Sequence, residues 1–320
     1  MKGSALISQP VAHVRFCVQI PMYNVTRFIL AAIENAAPYV ERIYLTWSPS
    51  PWTHYNSGSR LQHRNPTPVE IVDGSPWLDK LTIIRGDWQR EEDQRNAALD
   101  RAVADGFDVM IVQDADEFYT GADYVANLRF MAENRNCDFY KAKWRVFWKT
   151  ADYVIDTFQE GLLTNCENFA VNLGRGIRFR ERRICDGTAF LTVPGVCCHL
   201  SYVLSNDEVR EKLATWGHAH QTKPEIWFER KWIHWTPRTR NLCPINFPAI
   251  FRRAVPFTGD RPDGFTKIDI PKLVIRPAPL ISRAWWWCMD FKDLAHLALH
   301  RLAVRGLLSW RAQRARGGNR

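Results

Sequence analysis

Val109-Met110-Ile111-Val112-Gln113-Asp114-Ala115-Asp116 decides how this chain is read. The apolar run over Val109–Gln113 predicts a central strand buried on both faces. Asp114 and Asp116 follow at its carboxyl end, where open α/β sheets bind their ligands. At i and i+2 of an extended chain both carboxylates leave on the same side. Like charges that close repel unless a cation lies between them. Carboxylate oxygens suit Mg2+ or Mn2+, and Mg2+ commonly bridges protein carboxylates to a substrate's phosphates. Asp is also a common turn residue, so a solvated strand-to-loop turn fits the same pattern.

Working outward, Val14–Ile20, Arg42–Trp47 and Leu81–Arg85 read as further strands, with helical patterns over Val25–Ala37 and Arg90–Ala104 between them. Strands alternating with helices predict a mostly parallel sheet. Ser48–Pro68 is polar and Pro-rich and reads as a long loop, either a cover over a ligand or an insertion. In the second half Phe139–Trp148, Val154–Ile155 and Phe169–Leu173 read as strands. Ser205 followed by Glu208 is a capping box that starts a helix running to about His218. Seven prolines between Pro244 and Pro279 predict a long extended segment wrapping the core.

Three of these segments together carry a resemblance. Phe16-Cys17-Val18-Gln19-Ile20-Pro21-Met22-Tyr23-Asn24 is an apolar strand stopped by a Pro turn, Arg95-Asn96 sits on a helix, and Asp114-Ala115-Asp116 ends a strand. The ordered set resembles glycosyltransferases of the GT-A fold, family 2 type. Their pattern is Pro-x-Tyr-Asn, then Arg-Asn, then Asp-x-Asp. Gly195-Val196-Cys197-Cys198-His199-Leu200-Ser201-Tyr202 carries a second likeness, continuing through Glu208, Lys212 and Leu213 to Gly217-His218-Ala219-His220. It is similar to the second half of bacterial family 2-like transferases, and more distantly to β-1,4-mannosyl-glycoprotein N-acetylglucosaminyltransferases. The likeness spans about residues 14–255.

The resemblance implies an α/β, GT-A-type, Rossmann-like nucleotide-sugar-binding fold with a mostly parallel central sheet. Residues 1–135 would form the nucleotide-sugar half, 136–275 the acceptor half, and 276–320 a basic amphipathic tail. It further implies a metal-dependent, inverting transfer from a nucleotide-sugar donor to a glycan, lipid-linked or protein acceptor. Pro21, Tyr23, Asn24, Arg95 and Asp114 would face the donor. Asp114, Asp116 and His199 would hold Mn2+ or Mg2+, the imidazole favouring Mn2+.

Each of these residues also has a plainer reading. Glu91 and Arg95 make an i,i+4 pair, worth about 0.3 kcal/mol on a surface. Asn96 beside them stays undecided. His199 lies among apolar neighbours, where a lone His is usually a hydrogen-bonded core residue. His218 and His220 are either acceptor contacts or imidazoles placed well at a helix C-terminus. Two residues apart on a helix, they point apart and cannot share one metal. Trp148, with Trp52 and Trp144, could stack on an acceptor sugar or belong to the core. An inverting transferase needs a carboxylate base, and Glu160, Glu167 and Asp186 are the candidates, one at most. Asp186-Gly187 also reads as a turn.

Other function classes fit less well. A haloacid dehalogenase-type phosphohydrolase has Thr or Val two places after its second Asp, where this chain has Phe118, and its Asp-x-Asp strand comes first. A nucleotidyltransferase would carry a Gly-rich loop after the first strand. A non-catalytic carbohydrate-binding protein on the same fold would have no need of Asp-x-Asp with His199.

Composition narrows the setting. At 320 residues, 46% hydrophobic and 24% charged, the chain is globular. Its eight cysteines include no Cys-x-x-Cys pair, which points to a reducing cytoplasm over a disulfide or zinc framework. Neither a signal peptide nor an 18-residue apolar run is legible. The net charge is +9, but residues 276–320 hold nine Arg or Lys against Asp290 and Asp293, a local +7 that leaves +2 elsewhere. Charge that localised argues against nucleic acid as a partner. Trp285-Trp286-Trp287 with the following Leu and Arg pattern reads either as a helix lying on an anionic membrane at its inner face or as a terminal helix docked on the core.

Overall fold

The structure is a computed structural model that describes residues 13–52, 64–157, 164–215, 224–244, 251–282, 284–289, 291–292 and 295. Along the chain come β1 (Phe16–Met22), α1 (Ile29–Ala36), β2 (Arg42–Trp47), β3 (Leu81–Arg85), α2 (Glu91–Ala104), β4 (Val109–Val112), β5 (Glu117–Phe118), α3 (Gly121–Glu133), β6 (Phe139–Trp148), β7 (Thr150–Thr157), β8 (Thr164–Asn172), β9 (Phe179–Glu181), β10 (Ile184–Cys185), β11 (Phe190–Tyr202), α4 (Asn206–Thr215), α5 (Pro224–Trp227) and β12 (Phe251–Pro256). The protein is mixed α/β. It divides into two compact units, one made of Met1–Ser50, Asn65–Ala142 and Cys166–Val196, the other of Pro51–Arg64, Lys143–Asn165 and Cys197–Arg320.

In the first unit β3, β2, β1 and β4 lie side by side and parallel. The register sets Leu45 beside Ile83, Ile20 beside Leu45 and Val18 beside Ile111. β8 joins β4 antiparallel, Met110 beside Val171. The mostly parallel sheet expected from alternating strands and helices is therefore present. All four residues of β4 are buried, as a strand covered on both faces requires. Tyr44, Leu99, Phe107, Met110, Val112 and Val171 lie in one core cluster. α1 starts at Ile29, four residues later than the apolar pattern suggests. Residues before it form a turn in which Val25 O accepts from the N–H groups of Phe28 and Ile29, both at 2.9 Å. α3 carries its own start signal, the Thr120 hydroxyl accepting from the Asp123 N–H at 3.1 Å.

In the second unit β7 is the middle strand, antiparallel to β6 on one side and to β12 on the other. β12 lies in the Pro-rich stretch read as extended, and Pro256 closes it, at the end of a strand where a missing N–H is tolerated. The capping box forms as its spacing predicts. Ser205 N–H donates to Glu208 Oε2 at 2.7 Å, and Glu208 N–H donates to Ser205 Oγ at 3.3 Å. His218 and His220, at the far end of the expected helix, lie outside the described residues.

The core of this unit is aromatic. Trp148 is fully buried, its ring 5.1 Å from Tyr202, 5.3 Å from Trp232 and 6.1 Å from Trp227, centroid to centroid. A ring enclosed in this way has no face left for a sugar, which corrects the expectation of an acceptor platform at Trp148. Trp148→Ala should cost about 3–5 kcal/mol, the range for emptying a large aromatic site. Urea unfolding of the full chain measures it, and an unchanged midpoint would contradict the burial.

Candidate functional site

From β1 the chain goes to β2 and β3 on one side, while β4 lies on the other. β1 and β4 thus flank the point where the strand order reverses, and the crevice beyond their carboxyl ends is where such sheets bind ligands. β1 outruns β4. Gln19 pairs with Val112, Gln113 N–H still donates to Gln19 O at 3.1 Å, and β1 continues to Met22. Asp114 and Asp116 therefore emerge beside the last residues of β1.

Asp114 is held by two arginines. Its Oδ1 accepts from Arg95 Nη2 and its Oδ2 pairs with Arg183 Nη2, both at 3.0 Å. Arg95 also donates from Nε and Nη2 to Glu91 Oε1, at 2.9 and 2.6 Å, and from Nη1 to Gln19 Oε1 at 3.1 Å. Arg183 reaches Glu117 Oε1 at 2.7 Å, and Glu117 Oε2 accepts the Asp114 N–H at 3.1 Å. Arg95 and Glu117 are fully buried and Arg183 nearly so. Two guanidiniums are thus shared among three carboxylates. Burial acts to raise the Asp114 carboxyl, but the charges of Arg183 and Arg95 and their hydrogen bonds outweigh it, holding the group well below the usual carboxylate range.

This corrects two expectations. The Glu91–Arg95 pair is real, but it is not a surface pair of small worth. Arg95 is wholly enclosed, and its contacts tie the Asp114 carboxylate to Glu91 and Gln19. The cation expected to relieve repulsion at Asp114 is also supplied internally, by arginine. A guanidinium on each oxygen leaves Asp114 only its remaining lone pairs for a metal ion. Asp116, half-buried two residues on, keeps the chemistry for one. No group of three or more His, Cys, Asp or Glu side chains is arranged for a metal among the described residues. His199 belongs to the second unit, on β11, with its ring 4.4 Å from that of Trp144.

The end of β1 is anchored. Pro21 is buried within the strand and Tyr23 is half-buried. Asn24 is exposed at φ 52°, a left-handed conformation that Asn adopts more readily than most residues. Its N–H donates to Asn65 Oδ1 at 3.0 Å, and Asn65 Nδ2 bonds Met22 O and Ser48 O, each at 2.8 Å. One amide thereby ties the ends of β1 and β2 beside the crevice. Asn96, two-sided in sequence, is structural: it donates to Phe179 O and accepts from Phe179 N–H, both at 3.0 Å.

Among the base candidates, Asp186 latches a hairpin. It accepts from Arg178 N–H at 2.9 Å and pairs with Arg180 at 2.5 Å. The backbone bond from Arg178, followed by Arg180, lowers its pKa, the wrong direction for a stronger base, so Asp186 is set aside. Glu160 and the side chain of Glu167 lie outside the described residues.

Arg183, Glu117, Gln19 and Asn65 were not singled out by the sequence. Glu117 directly follows Asp116, a signal that could have been used. Arg183 is one of five arginines between 175 and 183, and nothing in their spacing distinguishes it.

No family model matches the chain, and no curated protein matches it. Three solved structures are similar in outline, each with a TM-score of 0.30. They are 4-diphosphocytidyl-2C-methyl-D-erythritolsynthase from Anaerococcus prevotii (10% identity, 51% of this chain and 71% of that one), mannose-1-phosphate geranyltransferase from Thermus thermophilus (14%, 50% and 50%) and the bifunctional IspDF from Campylobacter jejuni (11%, 50% and 41%). The chain spans half or less of the last two.

The depressed pKa sets a sign. Asp114 contributes stability that is fully present above its unfolded value near 3.8 and is lost as pH falls through the lower folded value. Asp114→Asn should therefore cost roughly 2 kcal/mol at neutral pH, the worth of hydrogen bonds to charged groups. The gap to wild type should hold down to about pH 5 and shrink below about pH 4. Chemical unfolding across that range tests it; a gap that widens in acid would refute the arginine clamp.

Proposed function

We propose that this chain is a nucleotide-sugar-dependent glycosyltransferase of the GT-A type, acting with inversion. The observation that carries the reading is the carboxylate pair Asp114 and Asp116 at the carboxyl end of β4, next to the end of β1. Asp114 is oriented by Arg95 and Arg183, and its side chain stays 31% exposed, able to accept from a hydroxyl such as the donor's ribose. Asp116 is assigned to Mn2+ or Mg2+, shared with the donor diphosphate. Such a cation would neutralise the leaving diphosphate. The acceptor hydroxyl needs a base, for which Glu160 and Glu167 remain, and His218 and His220 are assigned to the acceptor. The acceptor class is a polysaccharide, a lipid-linked sugar or a protein glycan.

The test is donor turnover. Asp116→Asn should lower transfer or hydrolysis of a nucleotide sugar with Mn2+ by about 100-fold or more, the scale of a lost transition-state electrostatic contact. Equal rates in wild type and variant would overturn the assignment of Asp116.

An anionic membrane is the proposed second partner. No described helix is long and apolar enough to cross a membrane. Yet Leu280 and Ile281 are 79% and 87% exposed, and Trp285, Trp287 and Phe291 are exposed beyond them. The same stretch opens the segment that carries +7. Exposed aromatics beside clustered arginine suit the headgroup layer of an anionic surface. In flotation with phosphatidylserine vesicles, full-length Trp285→Ser/Trp287→Ser/Phe291→Ser should lose most of the bound fraction seen with wild type at low salt. Equal flotation would remove the membrane from the reading.

A further inference from the structure

The second unit contains a cavity of about 230 Å³ that is remote in chemistry from the Asp114 cluster. Three cations line it, Lys149, Lys272 and Arg276, and no Asp or Glu does. Ser205 and Asn206 add a hydroxyl and an amide, and Leu204 and Leu273 add apolar wall. Of the acids close by in sequence, Glu208 takes the Ser205 N–H, Asp207 pairs with Arg210 at 3.3 Å and Glu229 with His234 at 3.0 Å, while Asp269, two residues before Pro271, is exposed. His234 also bonds the Arg276 carbonyl from Nδ1 at 2.7 Å, so the wall bearing Arg276 is pinned.

Lys149 is the unusual member. It is the single residue between β6 and β7, at φ 63°, the left-handed region where glycine costs least. Its N–H donates to Tyr202 O at 2.7 Å, which needs no particular side chain. A lysine here bears backbone strain that glycine would relieve. Its ammonium lies 4.0 Å from the Trp232 ring centroid. Burial alone pushes its pKa down to about 8, since no neighbouring carboxylate compensates. An anion in the cavity would supply that compensation.

We propose that this cavity binds the phosphoryl group of a small phosphate monoester, gripped by Lys149 with Lys272 and Arg276. Three cations and two neutral hydrogen-bonding groups match a dianion with three terminal oxygens better than a carboxylate with one charge and two. The volume beyond the phosphate and the apolar wall accommodate a short organic body. The same chemistry is offered by a soluble sugar phosphate and by a phosphate-bearing lipid headgroup. This inference does not rest on the proposed transfer reaction.

The test uses the full chain and Lys149→Gly, which keeps the left-handed turn. Calorimetric titration with glucose 1-phosphate at constant ionic strength forms one arm, and sedimentation with phosphatidylcholine vesicles containing phosphatidic acid the other. Lys149→Gly should bind at least tenfold more weakly in one arm while its Tm is equal or higher. A loss in the first arm identifies a soluble ligand, and a loss in the vesicle arm alone identifies a headgroup. Equal binding by both proteins in both arms overturns the proposal. As a check independent of the variant's folding, Nζ-dimethylated Lys149 in the wild-type chain should titrate near pH 8 by NMR and shift upward with inorganic phosphate. A resonance indifferent to phosphate overturns it equally.

Discussion

A carboxylate set at the end of a buried strand is held ionised by the charges and donors around it, and at Asp114 those are two arginines. Arg95 comes from α2 and Arg183 from the short turn between β9 and β10. Each guanidinium is itself tied to a second carboxylate, Glu91 or Glu117. The network thereby draws a helix, a strand end and a hairpin to one point. Leaving any member without its partner would strand a buried charge, so the pieces hold one another in place.

That constraint shapes the crevice. With both Asp114 oxygens engaged, the segment after β4 has one orientation, and Asp116 is carried along with it. On the facing side Asn65 joins the ends of β1 and β2 through backbone carbonyls. Backbone groups beyond a strand's end have lost their ladder partners, and a side-chain amide supplies them. The mouth of the first unit is therefore set by polar side chains that bind the protein to itself.

The second unit is stabilised differently. Its interior is a cluster of tryptophan and tyrosine rings in which Trp148 meets Trp227 and Trp232 edge to face, with Trp227 Nε1 donating to Leu242 O at 2.9 Å. Large rings bury much apolar area each and satisfy a polar tip at the margin. Much of the chain's unusual tryptophan content is used here, so abundance of Trp alone did not mean sugar stacking.

By itself the sequence determined the local features. The apolar run Val109–Val112, the alternation of strands and helices, the capping box at Ser205 and the Glu91–Arg95 spacing all appear as read, because each depends on residues within one or two turns of each other. The carboxyl end of the Val109–Val112 strand was legible as a place for a ligand, but strand order, and with it the position of β1 beside β4, was not. Tertiary structure alone decided that Arg95 is buried, that Arg183 is its counterpart 88 positions later, and that Trp148 lies in a core rather than at a surface. Periodicity says which face of an element is apolar but not which distant charge arrives opposite it. Pairing across so many residues is fixed by packing and by the cost of leaving a charge unmatched in the interior.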